Sequence, residues 1–119
     1  MKDVYIEEHQ ARILVAEHLM GFKWETIDNG QRALVLSKKQ ATDIQLAESL
    51  YKFVPHYSRD FEAMWEVEER IRVMCLHDIY LKHLTRDGDE TFDCVHASLG
   101  RRCVAAAKTI CEHKKINLS

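Results

Sequence analysis

The chain has 119 residues, 46% of them hydrophobic and 30% charged, with 17 basic against 19 acidic side chains and a formal net charge of -2. A length of this order makes one domain that buries roughly two thirds of the surface its unfolded form exposes, so neither a metal nor disulfides are needed to fold it. The near-neutral balance argues against a polyanion binder that relies on bulk charge, so direct nucleic-acid binding is not expected, and equally against an acidic mimic of DNA.

Residues 4 to 20 place Ile6, Ile13, Ala16 and Met20 on one stripe and Glu7, Glu8, Arg12 and Glu17 largely off it. That is the pattern of an amphipathic helix, with Gly21 where a left-handed cap is cheap. The period then changes to two, with Phe22, Trp24 and Thr26 facing one way. Asn29-Gly30 suits a two-residue type I′ turn, which sets Trp24 opposite Val35 and Thr26 opposite Ala33. Between 38 and 54, Lys38 to Gln40 read as loop, and Thr42, Ile44, Ala47, Leu50, Tyr51 and Val54 read as a short helix stopped by Pro55. Ser58 is then expected to cap a helix from Arg59 to Met74 whose inward stripe is Phe61, Met64, Trp65, Ile71 and Cys75.

Residues 77 to 98 read as a second hairpin about Asp87-Gly88. In its register Arg86 faces Asp89, Lys82 faces Asp93 and Leu81 faces Cys94, two opposite-charge pairs and one apolar pair. Ser98 caps a final helix through Lys114, with Leu99, Cys103, Ala106, Ala107 and Ile110 inward and Arg101, Arg102, Lys108 and Lys114 outward. The expected fold is a single α+β domain over residues 1 to 119, an α/β sandwich. Two β-hairpins lie side by side in a mostly antiparallel four-stranded sheet covered by three or four helices.

Three stretches, "VAEHLMGFKW", "HYSRDFEAMWEVEERI" and "ASLGRRCVAAAKTI", carry Met20-Gly21-Phe22, Tyr57-Ser58-Arg59-Asp60 and Met64-Trp65-Glu66-Val67. Together they resemble the small bacteriophage proteins grouped as the phage ABA sandwich domain, over most of the chain from Val15 to Ile110. Two features depart from that pattern: Glu68 stands where the family usually has an apolar residue, and the 38 to 54 insert is long. The resemblance implies a sandwich fold and a phage or prophage origin, and no settled activity.

The candidate chemistry is sparse. Glu68 shares a stripe with Phe61 and Trp65, and a carboxylate there must either meet a base, such as Arg72 or a histidine, or mark a rim open to a ligand. On the expected second hairpin His77, Cys94 and His96 share a face and are admissible zinc-ligand types. They lack the paired spacing of a dedicated site and a fourth ligand, so no metal is assigned. A Cys94-His96 nucleophilic pair has no orienting third group, so no catalytic residue is assigned either. Arg101 and Arg102, just after Ser98, are the best candidates to hold an anion, where backbone N–H groups add to the guanidinium charge. There is no G-x-G-x-x-G motif or P-loop, and no cofactor is implied.

The four cysteines lie without C-x-x-C spacing and no signal segment leads the chain. They read as reduced thiols of a cytoplasmic protein. No apolar run approaches the ~18 residues of a membrane span. The functional expectation is a non-enzymatic phage accessory protein that antagonises host defence. It would either cover a defence protein, through Tyr51, Phe53 and Tyr57 of the insert, or sequester a phosphate-bearing signal on Arg101, Arg102, His77, His96 and Glu68. Such pockets commonly form between subunits, so a homo-oligomer belongs to this expectation. The alternatives are a small hydrolase or metal-dependent enzyme using Glu68, His77, Cys94 and His96, and a minor structural phage protein.

Overall fold

The last helix organises the molecule, because its alanines let three other helices approach it closely. A computed structural model describes residues 6–27, 30–44, 49–85 and 97–116. In chain order the described elements are α1 (Glu8–Leu14), which widens into π-helical turns over Val15–Leu19, β1 (Lys23–Thr26), β2 (Arg32–Val35), α2 (Lys38–Thr42), α3 (Phe61–Val73), α4 (His77–Leu84) and α5 (Leu99–Lys114). Cys103, Ala105, Ala106, Ala107, Thr109, Ile110 and Cys111 of α5 are buried, and α1, α3 and α4 pack on them. The one buried hydroxyl among them is satisfied, since Thr109 Oγ1 donates to the Ala105 carbonyl at 2.7 Å. Ser98 caps α5 as the sequence indicates, its side chain accepting from the Arg101 N–H at 3.2 Å.

In α1 the buried stripe is Ala11, Val15, Ala16 and Leu19, with Ile13 and Met20 half-buried at its edges. The shift from the expected stripe comes from the π-helical turn: Met20 N–H reaches back five residues to the Val15 carbonyl at 3.0 Å. Gly21, at φ +83°, then turns the chain so that Phe22 N–H returns to Ala16. Arg12, read as solvated, instead points at the 51–55 segment. Its guanidinium donates to the carbonyls of Pro55 at 3.0 Å, Tyr51 at 3.2 Å and Val54. One side chain thus closes a loop whose carbonyls have no helix or strand to satisfy them.

The first hairpin forms where expected, but its register is displaced by one residue. Trp24 pairs with Leu34 and Glu25 with Ala33. Gly30 is the cause: at φ +86° it is the third residue between Ile27 and Gln31, which close the loop by an N–H to carbonyl bond of 2.8 Å. A one-residue slip exchanges the faces of a strand. Leu34 therefore joins the main core, while Ala33 and Val35 build a second small core with Ile27, Ala41 and Ile44. The Leu34 N–H, directed away from β1, donates to the Leu50 carbonyl at 3.0 Å and covers that edge.

Residues 38 to 42 are helical, although Lys38 to Gln40 were expected to be loop. Ser37 accepts from the Gln40 N–H at 3.3 Å, and the Gln40 side chain reaches back to the Leu36 N–H at 2.8 Å, a reciprocal cap. Residues 50 to 53 form turns where the later part of the short helix expected over 42 to 54 would lie. Asp60, not Ser58, caps α3, accepting from the Ala63 N–H at 3.2 Å, because a turn on the His56 carbonyl carries the chain two residues further. Cys75 is not on the core stripe. It sits exposed at φ +59°, where its N–H bonds Arg72 and the Leu76 N–H bonds Ile71, the bonding pattern of a glycine stop made by a cysteine.

The expected four-stranded sheet is not formed. Residues 77 to 84, assigned to a strand of the second hairpin, are α4, and the sheet among the described residues has two strands. The segment carries two periods at once: His77, Ile79, Leu81 and His83 alternate, but Leu76, Tyr80 and Leu84 recur every fourth residue and are the ones buried. The helical period wins because the Cys75 stop ends α3 and redirects the chain into α4, which packs on α5. The expected cross-strand partners dissolve accordingly: Lys82 pairs with Glu112 of α5 at 3.0 Å, and Leu81 faces solvent. Asp87-Gly88, the expected returning strand, Cys94 and His96 lie outside the described residues.

Candidate functional site

Two neighbouring regions of α3 carry the charged and aromatic groups of interest. On one flank Glu68 accepts hydrogen bonds from Arg102 Nη1 at 3.2 and 3.1 Å and from the Tyr80 hydroxyl at 2.5 Å. This junction ties α3, α4 and α5 together. Arg102 Nε donates in addition to the Ala97 carbonyl at 3.1 Å. The need of Glu68 for a base is thus met by Arg102, 34 residues away in the chain, while Arg72 pairs with Glu69 one turn earlier on its own helix.

The other residues considered for anion binding are also engaged internally. The Arg101 guanidinium donates to the Leu84 carbonyl at 2.5 Å, closing the end of α4. A Cβ added at Gly100 would lie 2.4 Å from Glu8 Oε1, so a carboxylate of the chain itself already rests against the first turn of α5. His77 is exposed at the start of α4, 3.7 Å from Asp78. Because 77 to 84 is a helix, the strand face that was expected to carry His77 is not formed. Among the described residues no group of three or more His, Cys, Asp or Glu side chains is arranged to hold a metal ion. No described helix is long and apolar enough to cross a membrane.

The aromatic residues of the insert are placed differently from the surface role considered for them. Tyr57 is buried in the main core, and burial pushes its phenol well above the usual range, with the Cys103 thiol nearby adding to the shift. It is not available to a partner. Tyr51 and Phe53 are half-buried. Tyr51 makes edge-to-face contacts with His9 and Trp24 at 5.2 and 5.9 Å, so it serves the joint between α1 and the hairpin.

The exposed aromatic surface lies instead on the outward side of α3, in residues the sequence assigned to the core. Phe61 is 66% exposed, Trp65 53% and Val73 64%, while Ala63, Met64, Val67 and Ile71 on the opposite side are buried. At 100° per residue Phe61, Glu62, Trp65, Glu69, Arg72 and Val73 fall within about a third of the helix circumference. Beside this strip Met20, Trp65, Glu66, Glu69, Arg70 and Val73 line an open groove of about 300 Å³. Arg72 bonds Glu69 at 2.6 Å and holds its carboxyl below the ordinary value. One sign in the sequence marked this surface: α3 carries two apolar stripes, and a helix covered on one side needs only one. No family model, no curated protein and no solved structure matches the chain.

Proposed function

We propose that the protein is a non-enzymatic accessory protein that works by docking the outward face of α3 against another protein. Phe61, Trp65 and Val73, exposed on one face of one helix, carry this assignment. Contiguous exposed apolar groups with a polar rim mark interaction sites on soluble proteins, and tryptophan is prominent among residues that dominate binding energy. The rim here is Glu62, Glu66, Glu69, Arg70 and Arg72. The resemblance to phage accessory proteins supplies the expectation that the target is a host protein, such as a component of defence, blocked by being covered. Sequestration of a phosphate-bearing signal is less well supported, because Arg101 and Arg102 hold acceptors of the chain itself.

A photoreactive phenylalanine analogue placed at position 65, with position 36 as control, tests the assignment in cells. Leu36 is likewise exposed, at 54%, but follows β2 and is not part of α3. Protein adducts concentrated at position 65 are expected. Equal yields at the two positions, or none at 65, would overturn it.

A further inference from the structure

Phe61, Trp65, Glu69 and Val73 follow one another at intervals of four residues, so they form one continuous ridge of α3, about 18 Å long. Glu62, Glu66 and Arg70 form the next ridge. The open groove takes its lining from both: Trp65, Glu69 and Val73 from the first, Glu66 and Arg70 from the second, with Met20 beside them. A ridge with a groove at its side is what helices use to pack on one another. The single charge on the first ridge, Glu69, comes with its own counter-ion, since Arg72 Nε donates to both carboxylate oxygens at 3.0 Å and Nη2 to one of them at 2.6 Å. Glu66 and Arg70 balance each other on the second. A further charge brought into this neutral groove would be desolvated without a partner, so what fits is uncharged.

We propose that the occupant is an α-helix of the partner protein, which lays an uncharged apolar ridge of four-residue spacing into this groove, and that Arg72 is the residue that lets Glu69 be covered. Two such ridges interdigitate when the helices cross at about −50°. An extended segment repeats every two residues and presents no such ridge. The proposal rests on reading the face as a protein-docking surface; it adds the form of the partner and the ion pair on which the contact depends.

The photoreactive phenylalanine analogue at position 65, combined with Arg72→Met and with Glu69→Gln plus Arg72→Met, provides the test. Arg72→Met leaves the Glu69 charge to be covered alone, and the yield of protein adducts should fall by about tenfold or more. The double variant removes both charges, and its yield should recover to within about threefold of the parent. The unfolding midpoint of the free protein should barely move in either, because the pair is exposed there. Mass spectrometry of the adducts should place the labelled partner residues three or four apart, as on one face of a helix.

Labels on alternate residues of a partner segment overturn the proposal, as does an Arg72→Met yield equal to the parent's or a double variant no better than Arg72→Met alone; the face then remains a docking surface. Adducts only between copies of this chain, or none at position 65, overturn both.

Discussion

Replacing Glu68 with glutamine tests the junction on which the helix packing depends. The substitution keeps the side-chain length, so the Tyr80 hydroxyl retains an acceptor, but it removes the charge opposite Arg102. An exposed ion pair contributes about 0 to 1 kcal/mol, and removing one partner of a fully buried pair costs about 3 to 5 kcal/mol. The two side chains here are 26% and 23% exposed, which places the loss between those limits, at roughly 2 kcal/mol. With a urea slope of about 1 to 3 kcal/mol per molar, the unfolding midpoint should fall by about 1 M with the slope unchanged. Tyr80→Phe deletes one hydrogen bond to a charged acceptor and should cost about 1 to 2 kcal/mol. In a double-mutant cycle, Glu68→Gln and Arg102→Gln should couple by about 1 kcal/mol or more. If Glu68→Gln stays within about 0.5 kcal/mol of the wild type and the coupling is below about 0.3 kcal/mol, the junction does not hold α3 to α5 and the reasoning fails.

Cys75→Gly should raise stability by about 0.5 to 1 kcal/mol, since a side chain at φ +59° is strained where glycine is not; a lower unfolding midpoint would contradict the left-handed stop. Arg12→Met should loosen the 51–55 carbonyls, seen as faster tryptic cleavage after Lys52 with α5 still protected; unchanged cleavage would count against it. Burial lowers the His83 pKa, opposed by Glu112 at 3.3 Å, with Lys82 and Lys108 adding to the lowering. Between its folded value and the unfolded value near 6.5 the unfolded chain binds more protons, so His83 should cost stability as pH falls through that window. His83→Gln should flatten that part of the stability profile, and an unaltered slope would remove His83 as its source.

How much of this was legible in the sequence depends on how local each signal is. Ser98, Gly21 and the strands around Gly30 act through their own neighbours, and they were read correctly in kind. The register slipped by one because the sequence does not say whether Gly30 closes a loop of two residues or three. Helix α4 was misread because Cys75 fills a glycine's position in the stop after α3. Without that stop the alternation of His77, Ile79, Leu81 and His83 looked like a strand. Glu68 announced its need for a partner, but the partner depends on how α5 crosses α3, which no spacing encodes. Phe61 and Trp65 were assigned inward because aromatic residues on a helical period ordinarily are. Only the packing shows that Ala63, Met64, Val67 and Ile71 already supply the buried side.

Trp65→Ala, studied by denaturation and by crosslinking in cells from a photoreactive phenylalanine analogue at position 61, tests the central claim most directly. If the outward face of α3 exists for docking, the variant should lose less than about 1.5 kcal/mol of stability, against about 3 to 5 kcal/mol for a tryptophan in a core, and should lower the yield of protein adducts at position 61. A variant that crosslinks like the wild type but unfolds several kcal/mol more easily would place Trp65 in the protein's own core and contradict the account.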